Sequence, residues 1–230
     1  MARGELDDPV VVEFPLRGEW SVERTPAYRI PSHGTDVLGQ RYAYDLVRTD
    51  HRRGFHLHPA GSLRMFLIGG PTREFYGWGQ PVHAAVDGVV VEAVDSVPEH
   101  QWLHFARESW SVVKNTLAFA RRGLDAARLA GNRVIVGSDG TYALYAHLAP
   151  GSVTVSKGQR IHVGEMIGRV GHTGNSTAPH LHFHLMDSPD PLQARGIPCA
   201  FAAYQVERDG QWQRVERDIP KRRERIRSLR

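Results

Sequence analysis

Residues 179–186 read PHLHFHLM, so that histidine alternates with Leu or Phe along the segment. A period of two belongs to an extended strand, where successive side chains point to opposite faces. His180, His182 and His184 then share one face, and Leu181, Phe183 and Leu185 share the other. Burying the apolar row against a core presents three imidazoles to a single cleft. Rings crowded in this way disfavour the protonated form, which leaves neutral nitrogens able to bind a metal. A set of structural, hydrogen-bonded histidines is the plainer alternative.

Much of the chain carries the same strand-like signals. DPVVVEF is a β-rich run, and RYAYDLV sets Tyr42, Tyr44 and Leu46 against Ala43, Asp45 and Val47. PVHAAVDGVVVEAVD and NRVIVGSDGTYALYAHL each place β-rich runs around an Asp-Gly pair, at Asp87-Gly88 and Asp139-Gly140. Both pairs are hairpin signals. Further short runs continue to Met186. The expected fold is therefore mainly β, an antiparallel sandwich or barrel-like core with a groove. Two segments interrupt it: a Gly-, Pro-, Arg- and His-rich loop insertion at 48–79, and a helical insertion at 98–130 ending near Gly131. With 230 residues in all, one domain over 1–210 followed by a basic tail at 211–230 is the expected organisation.

Composition narrows the function classes. The single cysteine, Cys199, excludes an internal disulfide framework and a Cys₄ or Cys₂His₂ zinc site, while the 13 histidines point to imidazole chemistry. No apolar run approaches the roughly 18–20 residues of a membrane span. No secretory signal is visible, since Glu5, Asp7 and Asp8 precede any apolar stretch. Residues 214–230 hold eight basic and three acidic groups, a net +5, so the rest of a chain of net charge +4 sits at −1. No aromatic residue is interleaved with those basic groups, and nucleic acid is not an expected partner. The chain has no P-loop, no GxSxG and no HExxH. His100 and His104 could share a helical face, but the glutamate of a zinc helix motif is missing beside them. KGQRIHVGEMIGRVG has the look of a lipoyl-carrier hairpin, yet Lys157 lacks the flanking residues for attachment.

Four separated blocks, RYAYDL, GQPVHAAVDGVV, YAHL and GHTGNSTAPHLHFHLM, together resemble the lysostaphin-type zinc metallopeptidases, the M23 peptidase family. The family pattern runs HxxxD, YxHL, HxH in that order, and the resemblance covers roughly residues 30–190. It implies a small antiparallel β core with a groove and one zinc ion per chain. It also implies endopeptidase action on peptidoglycan peptides, usually outside the cytoplasm. On the matching positions, Asp45 and His182 take the roles of metal ligands, and His147 and His180 those of catalytic histidines that are not ligands. Four residues before Asp45 stands Arg41, which cannot ligate a cation. Similarity to relatives with an insertion here passes the first ligand role to His33, twelve positions before Asp45, with His56 and His58 of GFHLHP as alternatives.

Zinc bound by two imidazoles and one carboxylate keeps a fourth position open for water, the arrangement of a catalytic site. His184 is expected to support the ligands or to line the rim. Gly171, Gly174 and Asn175 allow a tight turn that aims His180, with Ser176 and Thr177 expected to cap it. Tyr145, two residues before His147, is expected on the same side of its strand, most simply as packing. The same residues fit two other readings. One is a non-catalytic groove that binds wall peptides or a partner hydrolase; the other is a zinc peptidase with a substrate outside the wall. Oligomeric state has no signature in the sequence.

Overall fold

Leu181–Met186 forms the strand that the alternation of its side chains predicts, and every residue of it is buried, the histidine row included. The computed structural model describes residues 6, 8–52, 54–122 and 129–229. In chain order its strands are β1 (Val10–Val12), β2 (Glu19–Arg24), β3 (Tyr44–Val47), β4 (Gly70–Pro71), β5 (Pro81–His83) and β6 (Gly88–Val94). They continue with β7 (Trp102–Leu103), β8 (Asn132–Ser138), β9 (Thr141–Leu148), β10 (Arg160–Ile161) and β11 (Met166–Arg169). The last are β12 (Leu181–Met186), β13 (Gly196–Ile197), β14 (Cys199–Arg208), β15 (Gln211–Asp218) and β16 (Arg225–Arg227). The helices α1 (Gly61–Leu67) and α2 (Phe105–Arg122) lie within the two insertions.

One twelve-stranded sheet runs β1-β14-β16-β2-β3-β12-β9-β8-β6-β10, with β13 beside β12 and β15 beside β14. Its pairings are antiparallel except β1 on β14, which is parallel. A separate two-stranded ribbon, β5 with β11, closes over the apolar face. The core joins Leu181, Phe183 and Leu185 of β12 to Tyr44, Tyr145 and Phe201 of the sheet and to Val82 and Ile167 of the ribbon. Removing Phe183 from water contributes on the order of 1.5–3 kcal/mol, which fixes the register of the strand and so the face its histidines take. On the opposite face Ile135, Leu144, Ala146 and Met186 form a smaller cluster beneath a groove. The mainly β architecture read from the sequence is thus observed.

The two Asp-Gly pairs behave differently. Asp139 and Gly140, at φ 44° and 78°, connect Ser138 directly to its partner Thr141, and β8 and β9 form the expected hairpin. Asp87-Gly88 is not a hairpin turn: β5 pairs with β11, whereas β6 pairs with β8 and β10. Gly88 is needed for close approach, because a Cβ there would lie 2.2 Å from the carbonyl oxygen of Gly137. The Asp87 carboxylate accepts the backbone N–H of Val163 at 2.7 Å.

The C-terminal stretch also departs from expectation. Its basic residues are built into the sheet, with β15 paired along β14 and β16 held between β14 and β2. Arg225, Ile226 and Arg227 alternate, so Ile226 enters the core while both guanidinium groups stack over Trp212 at 5.0 and 4.3 Å. A charged strand is stable there because its apolar residue faces inward and its long basic stems cover an aromatic ring. In the loop insertion, α1 is an element the sequence reading does not contain. The helical insertion is present as α2, and residues 123–128 of the expected helix lie outside the described residues.

Candidate functional site

The register of β12 creates the centre of the groove. His182 is paired with Asp45 of β3 on one side and with Ala146 of β9 on the other. Cross-strand neighbours share a face, so the His182 ring and the Asp45 carboxylate meet, with Nδ1 3.0 Å from Oδ1. His33 arrives from the loop after β2, and its Nε2 lies 3.0 Å from the other oxygen, Oδ2. His180 approaches the same carboxylate with Nε2 at 3.4 Å, and Arg24 with Nε at 3.4 Å. One carboxylate is therefore ringed by three imidazoles and a guanidinium. Burial opposes its ionisation, but the charges and hydrogen bonds of the histidines prevail and hold Asp45 well below the usual carboxylate range.

His147 enters the groove through a break in the pattern of β9. Tyr145 lies in the core, where its hydroxyl accepts the Ala85 N–H at 2.7 Å, and Ala146 lies on the groove side. Strict alternation would return His147 to the core. Instead a left-handed φ of 63° at His147 turns its ring into the groove beside Ala146. Tyr145 and His147 thus do not share a side, contrary to the expectation from their spacing. Such a backbone costs of order 1–3 kcal/mol and persists only where the surroundings enforce it. Here the enforcing contact is the Thr173 carbonyl, which accepts the His147 Nδ1 proton at 2.8 Å.

His180 is held in a parallel way, with Nδ1 donating to the Ala178 carbonyl at 2.7 Å. The ring centroids of His147 and His180 are 4.8 Å apart, and those of His33 and His182 4.9 Å. Burial, reinforced by the charges of neighbouring rings, lowers His147 well below the usual imidazole value. Burial alone would lower His180 as well, but the adjacent Asp45 carboxylate outweighs it and raises that ring. His184 continues the row, with Nδ1 3.1 Å from Nε2 of His182, and burial lowers it strongly.

Among the described residues, two sets of potential metal-binding atoms lie within 4.8 Å of one another: His33, Asp45 and His182, and His147, His180 and His182. All five sequence-selected residues thus meet in one groove of about 560 Å³. His56 and His58 do not join them. His56 contacts Ser62 at 3.0 Å within its own loop, and His58 is buried near Glu74. Ser176 caps the turn from a buried position, donating to the Ala178 carbonyl at 2.8 Å. Gly174 takes the anticipated left-handed φ of 73°. Gly171 serves close packing instead, since a Cβ there would lie 2.4 Å from Ala149 backbone atoms. The sequence reading did not identify Arg24, and no spacing motif marks it: its place beside Asp45 follows from the β2–β3 register.

Residues 111–194 match the family model described as peptidase family M23. The resemblance drawn from the sequence is borne out by this match, which contains His147, His180 and His182 but not His33 or Asp45. Over 74 residues the chain is 41% identical to the peptidoglycan DD-endopeptidase ShyA of Vibrio cholerae, covering 31% of this chain and 17% of that protein. Over 114 residues it is 33% identical to the glycyl-glycine endopeptidase ALE-1 of Staphylococcus capitis, covering 49% of this chain and 23% of that protein. The chain thus spans less than a quarter of the length of either relative. The catalytic domain of lysostaphin from Staphylococcus simulans aligns over 76% of this chain and 84% of its own, with a TM-score of 0.38 and 19% identity.

Proposed function

We propose that this chain, with its M23 peptidase match, is a zinc-dependent endopeptidase that hydrolyses peptide bonds in peptidoglycan stems or crosslinks. The observation that carries the reading is the Asp45 carboxylate set between His33 and His182, with His147 and His180 beside it in the same groove. The donor set suits zinc: two imidazole nitrogens and a carboxylate converge within 4.8 Å, and burial keeps His182 in its neutral, ligating form. His33, Asp45 and His182 would hold one ion per chain. Zinc held there would supply Lewis-acid activation of water near neutral pH.

The remaining work falls to groups the chain itself provides. His147 and His180 commit Nδ1 to carbonyls, so Nε2 of each is the nitrogen left to carry a proton in the groove. Two such rings suit the two proton movements of amide hydrolysis, one from the attacking water and one to the leaving amine. Arg24 and His180, whose protonated form Asp45 favours, also bring positive charge to the groove, where it would favour a developing oxyanion. His184, in contact with the far nitrogen of His182, orients that ring as a supporting hydrogen-bond partner.

The curated relatives are named as a peptidoglycan DD-endopeptidase and a glycyl-glycine endopeptidase, which supports a wall peptide as substrate. Such a substrate implies action on the outer side of the cytoplasmic membrane. Incubation with purified sacculi tests the reading: soluble muropeptides should appear, and a zinc chelator should abolish their release. Intact sacculi after incubation with zinc-loaded protein would sink it.

A further inference from the structure

The two catalytic histidines are held by one short turn. His147 donates to the carbonyl of Thr173 and His180 to that of Ala178, so residues 171–178 set both rings at once. Much of what anchors this turn lies in or beside the helical insertion. Glu99 accepts the His172 N–H at 2.9 Å, and the carbonyl of Leu129 accepts the Asn175 N–H at 2.8 Å. Asn115 of α2 donates to the Asn175 side chain at 3.2 Å. Gly174 meets the insertion at backbone contact, since a Cβ there would lie 2.5 Å from the Gly131 nitrogen and the Leu129 oxygen.

One buried chain of polar groups runs further. Glu108 of α2 is 4% exposed, and its Oε1 accepts the Nε and Nη2 protons of Arg107 at 3.2 and 3.1 Å. Its Oε2 lies 3.9 Å from Nε2 of buried His172. His172 Nδ1 is 3.0 Å from the hydroxyl of Ser176, which donates to Ala178 and lies 3.2 Å from His180 Nδ1. A carboxylate is costly to bury unless paired, and buried ion pairs are weak contributors to net stability. Glu108 does not line the groove, so it contacts neither the metal donors nor a peptide lying there.

We infer that Glu99, Glu108, Asn115 and Leu129 of the helical insertion clamp the turn 171–178, and that Glu108 is a positioning residue acting on His180 through His172 and Ser176. This rests on the peptidase reading, because it presumes that both rings do the chemistry. The insertion also contributes Val112, Thr116 and Leu129 to the groove wall, so one element both borders the substrate path and orients the groups that act on it.

The test is Glu108→Gln in the full chain, which keeps the shape and removes the charge. The expected result is unchanged zinc content and a kcat lowered about tenfold with KM within about twofold, the scale of a lost supporting partner around a site. The ring ¹⁵N resonances of His147 and His180 in zinc-loaded, substrate-free protein should move as well. A merely structural Glu108 would lower the melting temperature and leave kcat per folded molecule and both ring signals at wild-type values; that result overturns the clamp. If Glu108→Gln fails to fold, Asn115→Ala tests the clamp at its separate contact with Asn175, with the same signals read. The resonances are measured without substrate. Intact sacculi with shifted rings would therefore fault the proposed activity alone, and cleaved sacculi with unmoved rings would fault the clamp alone.

Discussion

Four histidines of the groove fall into two pairs that differ in what their ring nitrogens face. On the sheet side, His182 and His33 aim ring nitrogens at the two oxygens of Asp45, each at 3.0 Å. On the turn side, His147 and His180 give Nδ1 to backbone carbonyls at 2.8 and 2.7 Å. A carbonyl only accepts, so the second pair is fixed as Nδ1–H, and that nitrogen is unavailable to an ion. The first pair shares an anion, which a cation can replace as the common partner of both rings. The difference comes from what carries each group. Strand register places Asp45 opposite His182, whereas a turn with its own free carbonyls dictates the tautomer of the other two rings.

The largest effects expected are those that empty the sheet side. Asp45→Asn and His182→Ala should each take bound zinc from about one ion per chain to near zero, with activity falling below detection. Elemental analysis of protein purified without chelator reads this directly. His33→Ala belongs to the same group, and wild-type zinc retention in that variant would move His33 out of the ligand set. The turn side should respond differently. His147→Ala and His180→Ala should keep the ion and lose at least about a hundredfold in rate, the scale of a removed acid–base or oxyanion group. Loss of zinc in His147→Ala would dissolve the distinction between the two groups.

A smaller effect separates the supports rather than the groups themselves. Gly174 stands at φ 73° with no room for a Cβ, so Gly174→Ala strains the turn and pushes it off the insertion. About 2 kcal/mol of stability should be lost, with roughly tenfold in rate, while zinc content stays as it was. Denaturant unfolding and elemental analysis on the same sample would show it. Zinc lost in this variant would mean that turn and sheet are one mechanical unit.

These contrasts also explain which parts of the molecule were legible in the sequence. PHLHFHLM was readable because burial on one face of a strand forces a period of two, and Leu181, Phe183 and Leu185 do enter the core. His147 was found only through the family motif: its φ of 63° reverses the face that its distance from Tyr145 implies. Asp139-Gly140 and Asp87-Gly88 look alike as dipeptides. Only the first is a hairpin, because strand partners over long separations decide whether neighbouring runs pair with each other. The C-terminal strands escaped notice for a similar reason, since Arg225 and Arg227 read as solvated charge until Trp212 is seen beneath them. Glu108 and His172 carry no local signal at all. Their meeting depends on how an insertion helix lies across a turn more than sixty residues later.

The pH dependence of stability offers the finest resolution of the comparison, in protein stripped of metal. Burial lowers His147, His182 and His184 below the ordinary imidazole value near 6.5, while Asp45 raises His180. A lowered histidine binds fewer protons folded than unfolded, so its contribution is fully present above about pH 6.5 and is lost as pH falls toward its folded value. His180 acts in the opposite sense: its contribution is complete below about 6.5 and is lost as pH rises through its raised value. Three lowered rings outweigh one raised ring, so the melting temperature should fall as pH drops from about 6.5 to 5. The limiting slope is roughly 1.4 kcal/mol per pH step for each net proton. Asp45, held low, adds its own loss only at still lower pH, as the medium reaches its depressed folded value. His184→Gln removes one lowered ring without touching the Asp45 contacts and should flatten the decline between 6.5 and 5. A slope unchanged in that variant would mean that the His184 ring already protonates in the folded chain, and the row along β12 would then be less buried in effect than its geometry indicates.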